Sequence, residues 1–234
     1  MKIQATLFSI VLFLVISSCS NNVEYSQDII NKTTGRYLYT PDEVIDTYYE
    51  NNTLFIKWRG SEKLKPVALD ETTFFIPDMY KKLRFVQHPE TKKRYLGVVS
   101  EEDDSKFTYD YLKVADSFKT PSMHLKANNF DEALAGFLEI KEQDSTSVLI
   151  KEREFNSYGY ELLRKKENEH AISVFKMNVA IYPESDNVYD SLADAYVRLG
   201  DSLNAYENYK KALELNTGNS RAKKFIEAYT KKQD

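Results

Sequence analysis

One pattern occurs twice near the C-terminus, thirty-four residues apart. Phe155, Tyr158, Gly159 and Leu162, with Ala171, Phe175 and Pro183, are followed by Tyr189, Leu192, Ala193 and Tyr196, with Ala205 and Tyr209. A period of this length with apolar residues at i, i+3 and i+7 is that of stacked helical hairpins, in which each repeat buries its seam only against its neighbours. Gly159 and Ala193 fall where two helices approach most closely, as do Ala171 and Ala205 on the second helix of each pair. Phe175 and Tyr209, one turn later, fill the space beside them. Pro183 stops one helix, Gly200 supplies a left-handed end to another, and Asp201 or Ser202 caps the next.

These residues resemble the tetratricopeptide (TPR) repeat, with one unit over Glu152 to Ser185 and a second over Tyr189 to Asn219. Phe155 and Tyr189 stand where the family has tryptophan, Asn178 where it has a small residue, and Thr217 where it has proline. A degenerate unit is read around Ala133 and Phe137, offset by four residues through a loop at Gln143 to Ser147. Ala222, Phe225, Ile226 and Tyr229 make one apolar stripe among lysines, the pattern of a polar-backed capping helix.

The other end of the chain reads as a secretory signal. Lys2 precedes an apolar run to Ile16, and Ser17 and Ser18 precede Cys19, the single cysteine. The run is shorter than the ~20 residues that span a bilayer, and a lone cysteine has no disulfide partner within the chain. The segment resembles the lipobox of bacterial lipoproteins, which implies a signal over 1–18, lipidation at Cys19, and a membrane-anchored protein of the bacterial cell envelope, facing the periplasm or the cell surface. Residues 19–34 are then expected to be a flexible tether.

Between these ends, residues 35–114 alternate aromatic or β-branched residues with polar ones in short runs, broken by turn clusters such as Asn51-Asn52 and Glu101 to Asp104. Seven or eight antiparallel strands are expected, among them Leu64 to Leu69 and Phe107 to Leu112, in a meander that closes into a sandwich or partial barrel. The fold class is thus α+β in two domains, with the helical array over 115–234. Gly35-Arg36-Tyr37, Leu54 to Ile56 with Trp58, Glu71 to Phe75 and Leu83 to Val86 resemble the lipocalin-like β-domain appended to penicillin-binding-protein-like serine hydrolases. That resemblance implies no catalytic residues here.

No catalytic or cofactor motif is present. There is no Gly-x-Ser-x-Gly elbow, no His-Glu-x-x-His helix and no phosphate loop, and the one Ser-x-x-Lys match, Ser220 to Lys223, falls at a helix start without its companion motifs. His88, His124 and His170 lack metal-ligand spacing, and the acidic run lacks the spaced oxygens of a calcium loop. With a net charge of -4 and no basic patch, nucleic acid is excluded as a partner. Neither a cofactor nor an enzymatic activity is expected.

What remains is a binding surface. On the first helix of each repeat the residues turned away from the seam are Arg153, Asn156, Tyr160 and Arg164, then Asn187, Asp190, Asp194 and Arg198. A protein partner is expected there, and Asp190 and Asp194 are expected to repel a terminal carboxylate. Two alternatives follow from the β-domain: a lipid or glycan held among Tyr37, Phe55, Trp58, Phe74 and Phe85, or an accessory role beside a separate serine hydrolase.

Overall fold

The computed structural model describes residues 23–232, so the expected signal over 1–18 and Cys19 lie outside the described residues. Nine strands form one antiparallel sheet: β1 (Gly35–Thr40), β2 (Glu43–Glu50), β3 (Thr53–Trp58), β4 (Ser61–Leu64), β5 (Val67–Ala68), β6 (Thr73–Ile76), β7 (Lys81–Gln87), β8 (Arg94–Val98) and β9 (Tyr111–Val114). Their order is β4-β3-β2-β1-β9-β8-β7-β6-β5. The two edge strands are consecutive in the chain, and only Lys65 and Pro66 separate them. Three residue steps reach roughly 10 Å, so the edges come near each other at this corner and the sheet curls into a half-barrel, without β4 and β5 pairing. Pro66, which has no N–H, sits where one bent strand leaves β3 and joins β6. The single strand expected over Leu64 to Leu69 is therefore two pieces with different neighbours.

The last strand also differs from expectation. It begins at Tyr111, because Asp110 accepts the Val98 N–H at 2.9 Å and the Thr108 hydroxyl, which ends the ladder, and Phe107 keeps only an isolated bridge to Val99. Asn51 and Asn52, at φ 48° and 58°, form the tight turn whose left-handed pair matches the twist of β2 and β3. Inward side chains alternate with outward ones, and Tyr37, Ile45, Ile56, Phe74, Leu83 and Leu96 are buried in the interior.

The segment expected as a flexible tether is ordered over its described part. Helix α1 (Gln27–Thr33) is capped by Ser26, whose hydroxyl accepts from the Ile29 N–H, and its Ile29 and Ile30 pack on the barrel core. A helix C-terminus leaves carbonyls without partners, and here the barrel supplies donors. The Thr33 carbonyl accepts from the Tyr37 hydroxyl at 2.9 Å and the Thr47 hydroxyl at 2.6 Å. Lys113 Nζ donates to the carbonyls of Lys32 and Thr34 at 2.9 and 2.6 Å. Just upstream, Tyr25 is buried edge-on to Tyr49, while its backbone exchanges two 2.7 Å hydrogen bonds with the Asn52 amide. The tether reading fails because Tyr25, Ile29 and Ile30 are an apolar face that closes the barrel end.

Seven helices follow: α2 (Pro121–Lys126), α3 (Phe130–Gln143), α4 (Glu152–Arg164), α5 (Asn168–Ile181), α6 (Asp186–Arg198), α7 (Ser202–Leu215) and α8 (Ser220–Thr230). They pack as the hairpins α2/α3, α4/α5 and α6/α7, with α8 against α7. Each hairpin turns on one left-handed residue: Asn128, Lys166 and Gly200, at φ 60°, 64° and 78°. The last two are one period apart, so the turn repeats where the glycine does not. Asp201 and Asn219 cap α7 and α8 by accepting from the N–H of Asn204 and Ala222.

The barrel also satisfies the start of the helical array. In the β1–β2 turn, Asp42 accepts the Ser122 N–H at 2.7 Å and the Ser122 hydroxyl, at the opposite end of β1 from α1. Arg36 grips Asp46 with two bonds of 2.7 Å and donates its third to the Phe118 carbonyl.

A close approach in the repeat seam falls at Gly159. A β-carbon there would lie 2.6 Å from the Phe175 ring, which is fully buried. Gly159→Ala should therefore destabilise the chain by about 1–3 kcal/mol by overpacking. Urea unfolding checks this, and adding Phe175→Leu should recover part of the loss; equal stability of Gly159→Ala and the parent would refute the close approach.

Candidate interaction surface of the helical array

The residues expected to form a binding face stand on α4 and α6, and most of them are already engaged by neighbouring groups of the array. Asn156 is buried, and its side-chain oxygen accepts from the Asn178 amide at 2.9 Å. Asn178 also donates to the Glu152 carbonyl at 3.1 Å, so the asparagine that replaces a small residue in the repeat ties α5 to α4. Asn187 donates to Glu152 Oε1 at 2.6 Å. Tyr160 is half-buried, edge-on to Phe175 at 5.1 Å, with the Arg198 guanidinium 5.7 Å above its ring. Burial holds its hydroxyl above the ordinary tyrosine value.

Asp190 and Asp194 correct the sequence-based picture most. Asp190 is buried, accepts from Asn219 Nδ2 at 2.9 Å and forms an ion pair with Arg221 Nη2 at 2.9 Å. Asp194 is bound by Arg198 Nε at 3.0 Å and approached by Arg221 Nη1 at 3.8 Å. Burial disfavours the Arg221 charge, but Asp190, Tyr209 and Asp194 outweigh it, and the guanidinium is held above its ordinary value. The two carboxylates therefore do not form an acidic face open to repel an anion. Each is paired within the array, and Asp190 is a structural residue.

Arg221 and Asn219 were not singled out from the sequence, yet the signal was present. Arg153, Asn187 and Arg221 are spaced by thirty-four residues each, so α8 continues the repeat frame as a first helix and presents Arg221 where its predecessors present Arg153 and Asn187. Arg153 and Arg164 are exposed and have no ion pair among the described residues. The surface thus carries Arg153, Arg164, Arg198 and Arg221 beside Asp190 and Asp194, which Arg221 and Arg198 engage, and beside Glu152 and Asp186, which bond to the neutral amides of Asn187 and Asn216.

The features set aside on the sequence have local explanations. His88 Nδ1 accepts two N–H groups of its own turn, and Asp103 does the same for Ser105 while pairing with Lys106. Among the described residues no group of three or more potential ligands could hold a metal ion, and no helix is long and apolar enough to cross a membrane. In the barrel, the aromatics expected to enclose a ligand are divided. Tyr37 and Phe74 fill the interior, whereas Phe55 lies on the outer face, stacked on Tyr48 at 5.7 Å with Lys63 4.5 Å above it.

No family model matches the chain. Solved structures that match part of it include the first TPR of Spaghetti (RPAP3) bound to an HSP90 peptide, at 18% identity over 48% of this chain and 86% of that one, TM-score 0.33. PcrH in complex with the chaperone binding region of PopD matches at 19% identity over 49% of this chain and 88% of that one, TM-score 0.33. MamA matches at 21% identity over 48% of this chain and 64% of that one, TM-score 0.33. The packing of the chain itself defines its class. It is an α+β protein in which a curled antiparallel half-barrel precedes a helical-hairpin solenoid with the TPR period.

Removing Arg221 leaves Asp190 buried with one neutral donor. Arg221→Ala should cost about 1–2 kcal/mol, the scale of a buried carboxylate deprived of a charged partner at a half-exposed pair. Combining Arg221→Met with Asp190→Asn should unfold closer to the parent in urea, because no charge is then left unpaired. A double variant weaker than the single one would show that the pair itself is strongly favourable.

Proposed function

We propose that the chain is a lipid-anchored, non-enzymatic interaction module of the bacterial cell envelope, which presents the face of α4, α6 and α8 to an acidic segment of a protein partner. One observation carries the choice of partner: Asp190 and Asp194 are neutralised from within by Arg198 and Arg221, while Arg153 and Arg164 remain uncommitted. Guanidinium groups recognise carboxylates through paired hydrogen bonds, and Arg153 and Arg164, which have no ion pair among the described residues, are the groups of this face open to make them.

Anchoring at Cys19 gives the barrel a place in this arrangement. Four residue steps separate Cys19 from Val23, a span of at most roughly 14 Å, and Tyr25 and α1 are fastened to the barrel end by the bonds described above. Lipidation there would hold that end of the barrel against the bilayer surface. The first helix of the array is held by Asp42, at the far end of β1, so the barrel would act as a base that carries the interaction face away from the membrane.

Two outcomes are expected. Expressed in a bacterium that processes lipoproteins, the parent should partition into detergent and carry acyl mass on its first mature residue, and Cys19→Ser should move to the aqueous phase; an acyl-free parent would rule out the anchor. In fluorescence anisotropy, a labelled Glu-Leu-Glu-Glu-Leu peptide should lose about tenfold in affinity to Arg153→Glu/Arg164→Glu. Unchanged affinity for that double variant, or no binding by the parent, would remove this face from the account.

A further inference from the structure

A second concave surface lies between the barrel and the first helical hairpin, on the opposite side of the molecule's charge logic. It is a cleft of about 580 Å³, within the ~300–1,000 Å³ range of ligand sites. Its two walls belong to different parts of the fold, and they are fixed relative to each other. Asp42 holds Ser122 of α2, and Arg36 holds the Phe118 carbonyl in the connection before it. The cleft therefore exists before any partner arrives.

The barrel wall is aromatic. Tyr109 is 38% exposed, yet its ring is set by Tyr95 at 5.3 Å, His88 at 4.8 Å and Phe107 at 5.6 Å. Tyr39, 40% exposed, is stacked on the buried Tyr111 at 4.5 Å. These rings present surface to the cleft in fixed orientations, which lowers the entropy lost on binding.

The helix wall is acidic. Glu132, Gly136, Glu139 and Gln143 stand at i, i+4, i+7 and i+11 along α3 and make one stripe facing the cleft. At Gly136 a β-carbon would meet Pro121 at 2.5 Å, so the glycine lets α2 and α3 close and leaves backbone rather than side chain between the two glutamates. Among the described residues Glu132 has no ion pair, and the bond Glu139 makes is from Gln143 Nε2 at 3.2 Å. Lys119 lines the rim, and Lys81 Nζ already lies 5.3 Å above the ring of Tyr39, so the ring left open to an incoming cation is that of Tyr109. Unneutralised carboxylates facing aromatic rings are the two halves of a cation site: charge attraction on one side and a ring quadrupole on the other.

We propose that this cleft is a second recognition site, which takes a basic and apolar segment of a protein partner, with an arginine or lysine seated between α3 and Tyr109 of the barrel. The site is independent of the acidic-segment reading of the α4/α6/α8 face, since the two surfaces share no residue and select opposite charge.

The mature chain can be titrated in anisotropy with two labelled probes, Leu-Arg-Phe-Arg-Leu amide and Leu-Glu-Phe-Glu-Leu amide. The basic probe should bind, Glu132→Lys/Glu139→Lys should weaken it about tenfold or more, and Arg153→Glu/Arg164→Glu should leave it unchanged. Tyr109→Ala, a change at an exposed ring, should weaken it as well. The proposal is overturned if the parent does not bind the basic probe, if the charge-reversed variant binds it as well as the parent does, or if only the α4 variant loses it. Because the acidic probe reports on the other face, loss of either surface is seen without the other.

Discussion

Helix ends hold this molecule together. Every α-helix leaves backbone groups without partners at its termini, and burying them unpaired costs as much as the hydrogen bonds they lack. Here the barrel answers two such ends from opposite rims. Tyr37, Thr47 and Lys113 donate to the last carbonyls of α1, and Asp42 accepts from the first turn of α2. The curled sheet is thus a connector. One rim fixes the segment nearest the expected anchor, and the other fixes the first hairpin, from which the remaining helices stack.

The same logic of satisfied polar groups governs the helical array. Its first two full hairpins use equivalent positions differently. Asn156 bonds to Asn178 between α4 and α5, whereas one period later Asp190 faces Ala212 and turns to Asn219 and Arg221 of α8 instead. An asparagine pair closes the inner hairpin, and a charge pair fastens the terminal helix. The terminal helix therefore does more than cover apolar surface. It sets which carboxylates the array leaves open, since Arg221 pairs with Asp190 and approaches Asp194.

Much of the fold was legible because periodicity is a local property. The seam residues Phe155, Gly159, Phe175, Ala193 and Tyr209 announce themselves by spacing, and the structure places them in the helix contacts. The strands were legible from alternation, with errors where a side chain or a proline interrupts the ladder, at Asp110 and Pro66. Helix α1 was missed because seven residues carry little periodic signal, and its face is defined only by the barrel end that it covers. Of the interaction face, the residue list was readable but its state was not: Asn156 and Asp190 are buried polar groups whose partners come from helices twenty-two to thirty-one residues away.

The sequence by itself determined the period of the array, the alternation of the strands and the positions of the turns, because each depends on residues within about one repeat of one another. Only the tertiary structure decided which charges are free. A carboxylate in the chain reads as acidic wherever it stands, but its effect on a partner depends on what stands within hydrogen-bond reach after folding. Arg221 brought to Asp190 took an expected open carboxylate out of one surface, and α3 brought opposite Tyr39 and Tyr109 created a cleft that no single stretch of sequence contains.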